Sequence, residues 1–348
     1  MPSITPLPGT CAPDAVDAWH ATVVRAHRHD LPGVPEPHRA ETAARMRVPA
    51  PRSEQVLLRS AAPAFAGVAA VRLFTDPANR EVARLCRLTV DPEHRRRGHG
   101  VALLAAVRAT CEAAGRRTVT ALVDADGPGA AFGRAHGFHL ALPLTGYVLD
   151  LPDVVPPADA AAPGAGPDQA AELPPGHTLT TWDGPVPPRH AAAFAEVRRA
   201  MAQAPTGRRA ERPPDWDVAA VRELATVCRR RGQSLRTVAI IAPDGAVAAY
   251  TEVVLPTSDA PRARQSDTGV APAHRGRGLG RAVQWHMVRL LRAHHPELRQ
   301  LVAVVADENA PARAVAAALG YRVERRLGLF EARVEDLPAA PGTAGRAG

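Results

Sequence analysis

The sequence predicts an α/β (α+β) protein built from two domains in tandem, and three observations carry that prediction. First, one motif occurs twice. Val90-Asp91-Pro92-Glu93-His94-Arg95-Arg96-Arg97-Gly98-His99-Gly100 and Val270-Ala271-Pro272-Ala273-His274-Arg275-Gly276-Arg277-Gly278-Leu279-Gly280 share the form Val-x-Pro-x-His-Arg-x-x-Gly-x-Gly. Arg95 and Arg275 lie 180 residues apart (275 − 95). Second, a later landmark also repeats: Gly137-Phe138 and Gly320-Tyr321 each close a short helical run, 183 residues apart (320 − 137). Two landmarks nearly in register argue for duplication of a whole domain. Third, both halves alternate strand-like and helix-like patterns in the same order, and 348 residues accommodate two ordinary domains.

In the first half, residues 1–150, Asp14 is placed to cap a helix through Trp19, Val23 and Val24 that ends at Leu31-Pro32-Gly33. A second short helix covers 38–47. Strand-like runs follow at 55–59, 67–74 and 84–90, the last feeding the glycine motif. The helix 98–114 places Val101, Leu104 and Val107 at helical spacing. A strand at 117–123, a helix at 129–136 and two strands at 139–142 and 146–149 complete the half.

Residues 151–176 are rich in Pro, Ala and Gly and read as a linker, because they carry too few large apolar groups to fold alone. The second half, 177–338, repeats the order. A helix over 188–202 carries Phe194, Val197 and Met201, and another, opened by Asp215 or Asp217, carries Val218, Val221, Leu224 and Cys228. Strands at 235–242 and 246–255 flank the turn Pro243-Asp244-Gly245. A strand at 265–270 leads into the second glycine motif, and the helix 278–294 follows with Leu279, Val283, Met287, Leu290 and Leu291 on one face. A strand at 301–306, a helix at 311–319 and strands at 321–325 and 329–334 close it; residues 339–348 read as a tail.

The net charge is +8, and every one of the 43 basic side chains is arginine. The arginines are scattered and accompany no helix-turn-helix, zinc-finger or RNA-binding aromatic motif, so no nucleic-acid partner is expected. No run of eighteen apolar residues is present and Met1 to Ala15 lacks an apolar leader core, so the expectation is a cytoplasmic protein without a membrane partner. The cysteines, 11, 86, 111 and 228, show no CxxC spacing. The histidine pairs 27/29 and 294/295 lack partner ligands at metal spacing, so no metal site is expected.

A glycine-rich turn that feeds a helix start offers unpaired backbone N–H groups, the positive end of the helix dipole, and room for close approach, which together make an anion site. These residues resemble the GCN5-related N-acetyltransferase (GNAT) superfamily. Its signature is an Arg/Gln-x-x-Gly-x-Gly/Ala loop after a strand, here 95–100 and 275–280, and a later Asn-x-x-Ala helix ending in Gly-Phe or Gly-Tyr. The second half keeps Asn309 where the first has Asp126, and looks like actinobacterial tandem acetyltransferases of the mycothiol-synthase-like kind. The resemblance covers most of the chain. It implies two tandem GNAT-type domains, each a mixed, mostly antiparallel sheet with helices on both faces. It implies that the loop amides grip the pyrophosphate of acetyl-CoA, through Val270, Arg275, Gly276, Arg277, Gly278, Leu279 and Gly280, with Asn309. The corresponding set in the first half is Val90, Arg95, Arg96, Arg97, Gly98, His99 and Gly100.

Acetyl transfer to an amine needs an oxyanion donor, which in this family is a backbone N–H near Val270 or Ala271, and a proton acceptor. For the acceptor the second half offers Glu252 or Asp267. The family's acid tyrosine falls at Gly133 and Ala316 here, leaving Tyr250, Ser266 or water for that role. In the first half only Glu81 and Asp91 are near the cofactor strand in sequence, which predicts the weaker catalyst. The acceptor pocket is expected from Arg198, Met201, Gln203, Pro205 and the run 206–217, including Arg208, Arg209, Arg212 and Trp216. The expected function is an acetyl-CoA-dependent N-acyltransferase that acts on a primary amine of a small molecule, mainly in the C-terminal domain. The alternative is a catalytically silent acyl-CoA-binding or scaffold protein.

Overall fold

The structure is a computed structural model that describes residues 1–9, 11–151, 173–202, 209–256 and 260–339. Most of the expected linker and nearly all of the expected tail lie outside these residues. The chain forms two compact units that do not follow the two sequence halves. One comprises the described residues of 1–143, 209–213 and 326–339; the other comprises those of 144–202 and 214–325.

The first unit carries β1 (Ile4–Leu7), α1 (Pro13–Asp30), α2 (Arg39–Arg47), β2 (Ser53–Ser60), β3 (Gly67–Phe74), β4 (Val82–Val90), α3 (His99–Ala113), β5 (Thr118–Asp124) and α4 (Pro128–Arg134). Its sheet runs β1-β2-β3-β4-β5 and closes on the second part of β12 (Arg322–Arg333), where Leu327–Arg333 pairs antiparallel with Asp124–Thr118. Only the β4–β5 pair is parallel. Leu103, Leu104, Val107 and Cys111 of α3 pack on one face of this sheet, with Val119, Ala121 and Phe330. Val16, Trp19 and Val23 of α1, with Met46 of α2, pack on the other, against Val68 and Ala70.

The second unit carries the end of β6 (His139–Asp150), β7 (Thr178–Asp183), α5 (Pro188–Ala202), α6 (Val218–Arg230), β8 (Ser234–Ile241), β9 (Val247–Leu255), β10 (Arg262–Val270), α7 (Leu279–His294), β11 (Gln300–Ala306) and α8 (Ala310–Ala318). Its sheet runs β6-β11-β10-β9-β8-β7, and again one pair, β10–β11, is parallel. All nine residues of β9 are buried, because helices cover both faces. Leu279, Val283, Met287 and Leu291 of α7 pack on one face. Phe194 and Val197 of α5 and Val221 of α6 pack on the other.

The expected helices and central strands are present, with local differences that have physical causes. Pro13 opens α1 at its first position with no side-chain cap, and Asp14 sits in the first turn. Asp217 caps α6, its carboxylate accepting from Ala220 N–H at 2.6 Å. β1 and β7 are additional: both are short edge strands, and β1 tolerates Pro6 because an edge needs no donor there. The paired closing strands expected in each half are instead single twelve-residue strands, β6 and β12. Among the described residues no helix is long and apolar enough to cross a membrane.

Two stability predictions follow from this packing. Leu291, with no exposed surface, sits beneath the second sheet, so Leu291→Ala should cost about 2–5 kcal/mol in chemical denaturation. In the first unit Arg95 grips Asp30 with two 2.7 Å bonds that, with His29, hold the Asp30 carboxyl below its usual pKa even though burial pushes it upward. That stability is present above the unfolded value of about 3.9 and is lost as pH falls through the lower folded value. Asp30→Asn should therefore be destabilising at pH 7, and an acid titration of Tm should show the difference vanishing at low pH.

Candidate functional site

Each glycine motif forms the same strand–loop–helix device. The loop arginine turns back on its strand: Arg95 Nε donates to Val90 O and Arg275 Nε to Val270 O, both at 3.3 Å. The helix N-cap is a glycine in the left-handed region, Gly98 at φ 84° and Gly278 at φ 73°. A Cβ added at Gly278 would meet nothing within 4 Å, so the helix mouth is open to a ligand. Gly280 sits tight on its strand, its added Cβ only 3.3 Å from Val270 Cγ2. Leu279 and His99 point into the core, so these two offer a ligand only their backbone; His99 Nδ1 is also engaged with Ser60 Oγ at 3.0 Å.

The loops differ in detail. The second loop residue has positive φ in both, and it is Gly276 (φ 74°) in one but Arg96 (φ 60°) in the other. Arg95 is fixed by Asp30. Arg275 is exposed; besides its bond to Val270 O, it reaches the sulfur of Met201 at 3.7 Å, and no carboxylate holds it among the described residues. Arg96, Arg97 and Arg277 are exposed side chains at the helix mouths.

Beside the second loop the sheet forks. β10 and β11 pair from Arg262↔Gln300 to Arg264↔Val302 and then part. The gap is a cleft of about 170 Å³ lined by Gln265, Ser266, Asp267 and Thr268 of β10, residues 303–306 of β11, Asn309, Ala312 and Ala316 at α8, Gln284 and Tyr321. Asn309 caps α8, accepting from Ala312 N–H at 3.1 Å, and borders the cleft from there. Ala271 N–H is spent on Ala248 O at 2.9 Å. Ladder alternation therefore aims the Val270 N–H toward the fork, and of the two expected oxyanion donors it is Val270 that faces the gap.

The carboxylates on β9 and β10 are adjacent, since Glu252 pairs with Asp267 across a β-bulge at Ser266. Their environments differ sharply. Glu252 is buried, ion-paired to Arg198 and 3.4 Å from Thr237 Oγ1. The side chain of Asp267 is 43% exposed and borders the cleft. It accepts from Tyr250 Oη at 2.6 Å and from Thr268 N–H at 2.9 Å, with Arg198 Nη1 at 3.7 Å. Burial and the Asp267 charge push the Tyr250 phenol well above its ordinary pKa, so it remains a donor. Gly269 makes room for this ring: a Cβ there would lie 2.6 Å from Tyr250 Cε1.

Arg198 organises the group, and its role escaped the sequence reading, which placed it on an acceptor pocket wall. It is 3% exposed, with its guanidinium 4.1 Å from the Trp216 ring and 5.3–5.4 Å from those of Tyr250 and Phe194. The signal available was its place on the buried stripe of α5, one residue after Val197 and four after Phe194. Of the other expected acceptor residues, Gln203, Pro205 and 206–208 lie outside the described residues. Arg212 belongs to the first unit. Among the described residues no cluster of metal ligands occurs.

The model of the acetyltransferase (GNAT) family matches residues 23–138 and 201–321. A solved tandem GNAT protein from the clavulanic acid biosynthesis pathway is 26% identical, over 96% of this chain and 99% of its own, with a TM-score of 0.79. A GCN5-related N-acetyltransferase from Sphaerobacter thermophilus is 18% identical, over 97% and 96% of the two chains, with a TM-score of 0.64. A glucosamine N-acetyltransferase region of a fungal multi-domain β-N-acetylglucosaminidase is 16% identical, over 95% of this chain and 38% of that one, with a TM-score of 0.66. The last two likenesses speak to the fold alone. Among curated proteins there is no match.

Removing Arg198 leaves a buried carboxylate without its cation. Arg198→Ala should destabilise the second unit by about 3–5 kcal/mol, and Arg198→Ala/Glu252→Ala together by less than the sum, a coupling that denaturant titration of the four-membered cycle measures.

Proposed function

The chain belongs to the acetyltransferase (GNAT) family, and from that premise we propose an acetyl-CoA-dependent N-acyltransferase that acts in its second unit on a primary amine of a small molecule. The observation that carries the reading is the Asp267 carboxylate, half exposed in an open cleft at the foot of an unobstructed glycine loop. The residues fit the cofactor. The backbone N–H groups of 276–280 lie at a helix start, where unpaired donors and the dipole suit a pyrophosphate. Arg275 and Arg277 add exposed positive charge, and Asn309 borders the cleft beyond them.

Transfer forms a nitrogen–carbon bond and breaks a carbon–sulfur bond, and the ammonium must first give up a proton. Asp267 is the group positioned to take it. Tyr250 Oη and Thr268 N–H hold the carboxylate in place by hydrogen bonds, with Arg198 Nη1 3.7 Å away. Glu252 has a different part: buried against Arg198, it fixes that cation, and the proton acceptor in this reading is Asp267. The Val270 N–H faces the fork, where a thioester oxygen needs a donor.

One observation favours a second reading, silent acyl-CoA binding. Ala316 borders the cleft at the place where the family carries its acid tyrosine. Tyr321 is not a free replacement, since its hydroxyl donates to Gln265 Oε1 at 3.0 Å. Tyr250 is likewise engaged, its hydroxyl donating to Asp267 at 2.6 Å, but thiolate is a tolerable leaving group, so water suffices for the departing proton.

Calorimetry should show acetyl-CoA binding with a Kd of about tens of micromolar or tighter; absence of binding at that level removes the proposal. Gly278→Val, which fills the left-handed N-cap, should weaken binding to the second unit by about tenfold or more. Asp267→Asn should leave acetyl-CoA affinity nearly unchanged while lowering kcat/KM for the amine by about 10²–10⁴. Binding without thiol release across a panel of amines would select the silent reading.

A further inference from the structure

The first unit has the same fork. β4 and β5 pair in parallel from Val82↔Thr118 to Arg84↔Thr120 and then part. Here the crotch is bridged. Glu211, from the segment between α5 and α6, places Oε2 against Arg84 Nε at 2.9 Å, Arg84 Nη2 at 2.5 Å and Thr120 Oγ1 at 3.3 Å. The neighbouring backbone is held as closely. Arg212 N–H donates to Asn79 Oδ1 at 2.8 Å, and Asn79 Nδ2 donates to Arg212 O at 3.0 Å. Ala210 N–H donates to Glu331 Oε1 at 2.8 Å.

The receptor for this strap is built rather than incidental. Asn79 is 2% exposed and Glu331 6%, and buried polar groups of this kind are costly unless paired. Asn79 meets both the donor and the acceptor of one peptide residue, and Glu331 stands directly across the ladder from Thr120. The face is defined by alternation. Val119 and Ala121 on β5, and Phe330 and Ala332 on β12, pack toward α3, so Thr120 and Glu331 project from the opposite face. In the second unit the face opposite α7 is where Asp267 meets Tyr250 and Arg198.

The bulge on β4 strengthens the contrast. Cys86 is skipped in the β3–β4 register as Ser266 is in β9–β10, so Arg87 occupies the position that corresponds to Asp267. The first fork thus has an arginine where the second has its proton acceptor.

We infer that residues 210–212 are a built-in occupant of the acceptor face of the first fork, closing that unit to external acceptors. The first unit keeps its glycine loop, but no acceptor reaches the crotch while the strap occupies it. The inference rests on the proposed reading of the forks as acyl-transfer sites, but the strap itself can be tested without activity.

Hydrogen exchange on the full chain reads the strap directly. The amides of Ala210 and Arg212 should be protected in the unmodified protein, and Glu211→Ala and, separately, Asn79→Ala should each speed their exchange by about tenfold or more. Unprotected amides in the unmodified protein would overturn the proposal, whatever the activity. For function, the second unit is disabled with Gly278→Val and Asp267→Asn together, and thiol release from acetyl-CoA is followed across amines. Transfer in that double variant is expected to fall by about 10²–10⁴ or more, with no remainder that depends on Glu211. Retained transfer that Glu211→Gln then abolishes would overturn the proposal and make Glu211 a catalytic group of the first unit. If the unmodified chain releases no thiol either, the reading of the second unit as a transferase fails, while the exchange result still decides the strap.

Discussion

The organising constraint of each unit is a parallel strand pair that is hydrogen-bonded at one end only. Three residue pairs hold β4 to β5 and three hold β10 to β11, after which the strands separate and leave two backbone edges facing a gap. Unpaired edges are a liability that must be covered or used. In the second unit the gap remains a cleft with a glycine loop at one end and a carboxylate at its side. In the first, side chains and backbone from a distant segment seat across it. The same opening is thus left as a cleft in one copy and bridged from within the chain in the other.

Arg198 shows how the second cleft acquires its polarity. A guanidinium with almost no solvent contact requires counter-charge, and Glu252 and Asp267 supply it from adjacent strands. Three aromatic rings replace the water it has lost. With Glu252 committed to that pairing, Asp267 is left facing the cleft. Two carboxylates one strand apart therefore stand in different surroundings, one buried against its cation and one bordering the cleft.

Much of this was legible in the sequence because it depends on local rules. Gly98 and Gly278 stand where the helix N-cap needs a left-handed backbone, and a residue with no Cβ advertises that need. The stripe Leu279, Val283, Met287 and Leu291 announced α7 and its buried face. Asp267 was visible by its distance before the motif. Features that depend on long-range pairing were not legible. Nothing local in Ala210-Glu211-Arg212 signals that Asn79 and Glu331 will bind it, since those partners lie well over one hundred residues away. β1 and β7 are too short to show alternation. Pro143 reads as a break between two strands, yet β6 runs through it.

The origin of the closing strands bears on how the protein is made. β5 of the first unit pairs with Leu327–Arg333, and the strap of that unit comes from residues 209–213. The earliest-synthesised unit therefore cannot complete its sheet until nearly all of the described chain has emerged. By contrast, Leu144–Asp150, the strand that pairs with β11, is present before any other strand of the second unit is synthesised. On a ribosome that adds about 5–20 residues per second, the first unit waits with one edge of β5 unpaired. Its early folding must rest on the local α1–α3 and β1–β4 packing, with closure deferred to the last strand.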